Sequence, residues 1–206
     1  IIEVGMPELP EVETIKNAIQ KGIGYANIIN VSVNNNRFRQ IIPHDFAEKI
    51  TGAQIISYQR IAKYIVIGLN NGLSLIWHLG MSGRVKISDL RPDVLDKHDH
   101  VIIETSNGTL TYNDARRFGL LIYCPTAEVC QNPLLGHTGI DPFDDALDGA
   151  YLRDKLKSKT IPIKIALLDQ KVISGIGNIY ASEALFGAGI LPTREANALT
   201  DSEYNL

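Results

Sequence analysis

The segment Met6-Pro7-Glu8-Leu9-Pro10-Glu11 sets a proline directly behind a methionine and a carboxylate directly behind the proline. When such a methionine is the initiator and is trimmed, Pro7 becomes the amino terminus and carries a secondary amine that can attack a sugar carbon to form an iminium. An α-amine has a pKa of about 7.7–8.0, so about a tenth of it is unprotonated at neutral pH, far more than an unassisted lysine offers. Glu8 can shuttle a proton at the same carbon, and Glu11, one turn into a helix, can orient or tune the pair. The same residues also suit a plain helix start, where proline is accepted and acidic side chains favour the positive end of the dipole. Residues 1–5 stand in front of this segment. While they are present the Pro7 nitrogen is an amide whose lone pair is delocalised, and it cannot attack anything. Met6 is therefore the expected natural start.

Other stretches carry side chains suited to chemistry or to phosphate. Lys63, in Arg60-Ile61-Ala62-Lys63-Tyr64, is either a surface lysine at a strand edge or a cation on a strand beside a phosphate. Met81, in His78-Leu79-Gly80-Met81-Ser82-Gly83-Arg84, and Phe118, in Tyr112-Asn113-Asp114-Ala115-Arg116-Arg117-Phe118-Gly119, read on their own as core residues. Gly175-Ile176-Gly177-Asn178 is either a tight turn or a helix start whose backbone N–H groups could approach a phosphate. His78 and His100 are equally well explained as satisfied core histidines and are left outside the site.

Positioning these residues falls to two kinds of element. Val12, Ile15, Ala18 and Ile19 recur at helical spacing, which predicts a helix over 9–22 with Pro10 near its start and Gly22 at its end. Strands are expected at 31–33, 54–58, 64–69, 73–78, 101–105 and 120–123, with Asn70-Asn71-Gly72 and Asn107-Gly108 as hairpin turns. After the Pro- and Asp-rich stretch 132–148 the period becomes helical over 151–157, 163–170 and 178–188. Thr200, three residues before Glu203, fits a capping box. A helix only begun at the end of the chain suggests that the natural protein continues.

The 206 residues are 45% hydrophobic and 21% charged, enough for one large or two small cores and unlike a disordered or fibrous chain. No apolar run approaches the roughly 20 residues of a membrane span and no signal peptide opens the chain, so a soluble cytoplasmic protein is expected. Cys124 and Cys130 form neither a CxxC pair nor a disulfide framework, so the chain has no zinc ribbon of its own. The net charge of −3 argues mildly against a nucleic-acid partner. Locally, however, Arg153, Lys155, Lys157, Lys159, Lys164 and Lys171 face only Asp154 and Asp169, which is either a phosphate-contacting surface or a solvated helix face.

Taken together and in order, the Pro7-Glu8, Lys63, His78–Arg84, Lys97-His98-Asp99-His100, Tyr112–Gly119 and Gly175-Ile176-Gly177-Asn178-Ile179-Tyr180-Ala181-Ser182-Glu183 segments closely resemble the bacterial formamidopyrimidine-DNA glycosylase family from Met6 onward. The resemblance implies an α+β protein. An N-terminal helix and antiparallel β-sandwich catalytic domain at 6–131, a linker at 132–150 and a partial helix-two-turn-helix DNA-binding domain at 151–206 would follow a non-family extension at 1–5. It implies base-excision repair by a bifunctional glycosylase and AP lyase that excises 8-oxoguanine and formamidopyrimidines from duplex DNA and nicks the strand by elimination.

By the same resemblance Pro7 matches the Schiff-base nucleophile at C1′, Glu8 the acid that protonates the sugar or base, and Lys63 the lysine assisting β-elimination. Met81, Arg116 and Phe118 match the side chains that fill the gap left by the flipped nucleotide: Met and Phe wedge into the stack while Arg donates to the orphaned cytosine. His98, Arg116, Lys159 and Asn178 match DNA contacts, Asn178 on the phosphate flanking the lesion. The expected partner is double-stranded DNA with oxidised bases or abasic sites. The expected protein is a nucleoid-associated bacterial monomer.

Departures from the family pattern leave other readings open. The family's zinc finger, with one Zn2+, four cysteines and an arginine serving δ-elimination, would lie beyond Leu206, so no cofactor is expected in this chain. A blocked Pro7 and a missing finger would leave a non-catalytic damaged-DNA binder or an inactive fragment. The related endonuclease VIII, acting on oxidised pyrimidines, is a further alternative, which Leu9 and Val12-Glu13-Thr14 disfavour.

Overall fold

A computed structural model of the chain describes residues 7–206, which divide into two compact units, one ending at Asn132 and the other running from Pro133 to Leu206. The expected extension at 1–5 and Met6 lie outside the described residues. The first unit opens on helix α1 (Leu9–Ile23), whose apolar stripe Leu9, Val12, Ile15, Ile19 and Ile23 is buried. Each such side chain contributes roughly 1.5–3 kcal/mol when removed from water. Pro10 sits in the first turn, where no N–H is required, and Glu8 and Glu11 close a capping box around the start. The predicted stop at Gly22 is displaced. Ile23 extends the buried stripe by one more position, and it is Gly24, at φ 59°, that leaves the helix with its N–H on the Gln20 carbonyl.

Two antiparallel sheets follow. One contains β1 (Ile28–Val33), β5 (Gly83–Ser88), β6 (Asp99–Thr105) and β7 (Gly108–Asp114), in the order β1-β6-β7-β5. The other contains β2 (Ile55–Ile61), β3 (Tyr64–Leu69), β4 (Leu73–His78) and β8 (Leu120–Pro125), in the order β2-β3-β4-β8. A short helix α2 (Phe46–Ile50) lies between β1 and β2. The expected turns form: Gly72, at φ 82°, ends the β3–β4 connection, and Ser106-Asn107 joins β6 to β7. A single apolar core draws Val12 and Ile15 from α1, Ile103, Leu110 and Tyr112 from the first sheet, and Ile65, Ile67, Leu75, Trp77 and Leu121 from the second. Strands β5 and β7 and helix α2 were not expected from the sequence. In β5 only Val85 and Ile87 alternate with Arg84 and Lys86, too few apolar positions to stand out until Val85 pairs opposite Tyr112.

The second unit consists of α3 (Gly149–Leu156), α4 (Ile163–Leu168) and α5 (Asn178–Gly187) around its own cluster of Leu156, Ile163, Ala166, Ile173, Ala181 and Leu185. The Asp148 carboxylate caps α3 by accepting the Tyr151 N–H at 2.7 Å. The stretch before α3 is pinned to this unit, the Gly139 N–H on the Gln170 carbonyl and the Ser174 N–H on the Ile140 carbonyl. The Thr200–Glu203 capping box forms and opens a 3-10 turn over Glu203–Asn205.

Candidate functional site

At the head of α1, Glu8 is 4% exposed. Its backbone N–H is taken by the Glu11 carboxylate at 3.0 Å, and its own carboxylate answers on the Glu11 N–H. Pro7, next to it, is also buried. Facing this head is Lys63, which lies in the two-residue β2–β3 turn and not on a strand as expected: Ile61 and Tyr64 pair across it, and Ala62 takes the left-handed conformation at φ 53°. A non-glycine residue there needs outside support. Arg60 supplies it, donating Nη1 to the Ala62 carbonyl at 3.1 Å and Nε to Glu13 at 3.0 Å, while Glu13 also takes Lys16 at 2.6 Å. Helix and turn are thereby tied together. Burial pulls the Lys63 ammonium below its ordinary value, and the nearby charges of Glu8 and Glu11 restore part of it.

His78, at the end of β4, completes the group. Its Nδ1 accepts the Gly80 N–H at 3.0 Å, so the ring proton sits on Nε2, and Tyr64 packs against it with ring centroids 4.8 Å apart. Burial, helped by the positive charges of Arg39 and Lys63, holds the imidazole pKa to about 4. The ring is thus a neutral donor, something its sequence context did not reveal. His100 matches the core reading: it is buried with Nε2 on the Asp114 carbonyl.

A second group forms where the β4–β5 and β7–β8 connections meet. Met81 is 38% exposed and Phe118 46%, which removes the core reading of both. The Arg116 guanidinium lies over the Phe118 ring, 4.5 Å from its centroid. The two connections touch at Gly80, at φ 65°, where a Cβ would stand 2.5 Å from the Gly119 nitrogen, so only glycine fits. His98 is half-buried and gives its carbonyl to the Asp114 N–H at 3.1 Å. Alongside Arg117, the other arginine of this connection, opens a cleft of about 670 Å³ lined by Asn34, Asn35, Asn36, Arg37, His44 and Arg117. Two guanidinium groups and amide donors make it suited to anions, and the molecule's net charge concealed it.

In the second unit, Asn178 is exposed on the first turn of α5, after Gly175 at φ 83° and the cap residue Gly177. Gln170 holds this turn open, accepting the Gly175 N–H at 2.8 Å and donating to the Leu168 and Ile176 carbonyls. Nothing in residue type or spacing marks Gln170 beforehand. Lys159 is occupied by an ion pair with Asp169 at 3.0 Å. Among the described residues no group of three or more His, Cys, Asp or Glu side chains could hold a metal, and no helix is long and apolar enough to cross a membrane.

The first unit is thus a helix-led β-sandwich with a buried carboxylate beside a lysine, and the second a helical unit with a glycine-opened helix start. The "Formamidopyrimidine-DNA glycosylase N-terminal domain" model matches residues 6–121 and the "Formamidopyrimidine-DNA glycosylase H2TH domain" model residues 138–206. The chain belongs to the formamidopyrimidine-DNA glycosylase family. Proteins of that name from Cereibacter sphaeroides and Rickettsia conorii are 42% and 44% identical to it, each match covering 96% of this chain and 72% of the relative. A Lactococcus lactis structure in complex with abasic-site DNA superposes with a TM-score of 0.89 at 32% identity, covering 96% of this chain and 73% of that one. Another from the same organism, with DNA containing Fapy-dG, gives the same TM-score over 74% of its chain.

Proposed function

We propose that this chain is a base-excision repair enzyme, a bifunctional DNA glycosylase and AP lyase that removes oxidised purines such as 8-oxoguanine and formamidopyrimidines from duplex DNA. The observation that carries this reading is the meeting of Glu8, at the head of α1, with Lys63 in the β2–β3 turn, immediately beside Pro7. With Pro7 as the free terminus, its nitrogen attacks C1′ of the damaged nucleotide and gives up its proton as the bond from C1′ to the base breaks; the C1′–O4′ bond then opens to leave an iminium, with Glu8 delivering the proton that the departing base or the ring oxygen takes. The resulting iminium acidifies C2′–H. Loss of that proton expels the 3′ phosphate, with Lys63, a cation whose proton is loosened by burial, placed to assist.

Met81 and Phe118 would enter the gap in the stack, Arg116 would donate to the unpaired cytosine, and His98, Lys159 and Asn178 would contact the DNA. Lys159 would first have to exchange Asp169 for a phosphate. In this reading residues 6–131 carry the chemistry, 132–150 join, and 151–206 grip the backbone. The Lactococcus lactis complexes with abasic-site and Fapy-dG DNA support the same partner here.

Borohydride reduction traps an iminium as a covalent protein–DNA adduct. A protein that begins at Pro7 should be trapped on 8-oxoguanine·cytosine duplex, whereas the chain retaining residues 1–6 should give no adduct. Glu8→Gln should lower base excision by about 10²–10⁴-fold while DNA affinity holds. Absence of an adduct from protein proven to start at Pro7 would overturn the covalent mechanism and leave a damaged-DNA binder. Stronger cleavage of thymine-glycol duplex would assign the endonuclease VIII preference instead.

A further inference from the structure

We propose that Asp114 is the positioning residue that makes the Met81 turn and the Arg116–Phe118 turn one rigid wedge, formed before DNA arrives. This rests on the reading of Met81, Arg116 and Phe118 as gap-filling side chains. Asp114 is fully buried at the end of β7, opposite Gly83 of β5. One carboxylate oxygen accepts the Ser82 hydroxyl at 2.5 Å and the Arg116 N–H at 3.2 Å, and the other accepts the Gly119 N–H at 3.0 Å. The Tyr112 hydroxyl, shared with the His78 carbonyl, approaches the same second oxygen at 3.4 Å.

The partners come from both turns. Ser82 follows Met81, and its hydroxyl oxygen also takes the Arg116 N–H at 3.1 Å, so Ser82, Asp114 and Arg116 form a closed triangle. Arg116 and Gly119 bracket Arg117 and Phe118, and Arg117 is left-handed at φ 56°. A bulky residue holds that conformation only where its neighbours fix it. Here the carboxylate seizes the N–H on each side, and the Arg117 carbonyl takes the Arg39 N–H at 3.1 Å. Phe118 is thereby turned outward while Gly80 packs against its backbone. Bonds to a charged acceptor shielded from water are among the stronger a protein makes, so both turns give up their freedom in the free protein and not on binding.

The consequence is selectivity. A preformed wedge rewards only DNA in which a nucleotide has left the stack, and it adds nothing to backbone contacts on intact duplex. The test compares affinity for a duplex bearing a tetrahydrofuran abasic analogue with affinity for the same duplex undamaged, together with the fluorescence of a 2-aminopurine next to the analogue, which reports wedge stacking. Asp114→Asn keeps the size but replaces one acceptor by a donor facing an N–H. It should cut the preference for the abasic duplex about tenfold and dim the fluorescence change, with undamaged-duplex affinity within about twofold. Ser82→Ala, which removes a single link, should show a smaller loss of the same kind and guards against a folding failure in the first variant.

Equal loss on both duplexes, or no loss in either variant, overturns the role of Asp114. Met81→Ala and Phe118→Ala separate the two levels. If these also leave the preference unchanged, or if the parent protein has none, the wedge reading fails and the proposal with it; if they abolish it while Asp114→Asn does not, only the proposal falls.

Discussion

His78 is neutral in the folded chain down to about pH 4, against an ordinary value of 6.5. Above pH 6.5 the ring is uncharged in folded and unfolded chains alike and has no effect on the balance. Between the two values the unfolded chain takes up the proton first, so stability falls as pH falls; from pH 7.5 to 5 this one ring should account for about 2 kcal/mol. Urea unfolding of the parent and of His78→Gln at both pH values checks this, with the variant expected to lose less stability on acidification. Equal losses would mean that the ring is solvated. Glu8 calls for similar care in choosing a replacement, since its carboxylate also caps α1. Glutamine keeps a carbonyl for the Glu11 N–H and removes only the acid, whereas alanine removes both and costs about 1 kcal/mol of helix start besides. Pro7 and Glu8 drew notice by residue type and order, whereas Lys63 entered only through the family resemblance. His78 and Asp114 were not legible, because a buried polar side chain means nothing until its partners are known. Exposure was equally invisible: Met81 and Phe118 read as core residues from their type alone.

Among the elements, the β2–β3 hairpin bears most directly on the chemistry, since its tip sets where Lys63 stands. The tip is held from both sides by Arg60, which reaches the Ala62 carbonyl and Glu13 on α1. Arg60→Met keeps much of the apolar stem and loses both links. It should slow strand cleavage at a preformed abasic site about tenfold, with Arg60→Lys recovering part of the rate, because small misplacements at a reacting centre are costly. A full rate in the methionine variant would show that the turn holds itself. The neighbouring β3–β4 hairpin was readable from the sequence because β3 and β4 are largely apolar runs separated by Asn70-Asn71-Gly72, whereas β2 runs on to Ile61, three residues past its expected end. The displaced end of α1 and the missed β5 share a cause. Each was decided by packing, of Ile23 in the core and of Val85 against β7, and not by any local signal.

At the level of the whole molecule, the change from strand to helical periodicity in the sequence coincides with two separate apolar cores. A fragment of residues 7–132 should therefore fold alone and melt in a single cooperative step by circular dichroism. An unfolded fragment would mean that the first core depends on the second unit. The net charge of −3 coexists with the cationic cleft at Arg37 and Arg117, so charge balance is a poor guide to the partner of this fold. The core of the first unit also has a consequence for biosynthesis. Helix α1 emerges first from the ribosome, yet the cluster that buries Val12 and Ile15 includes Leu121 from the last strand. At roughly 5–20 residues per second, on the order of ten seconds pass before that strand exists. Throughout that interval α1 cannot complete its docking, so its head, with Pro7 and Glu8, reaches its buried state only after the last strand of the sandwich has been made.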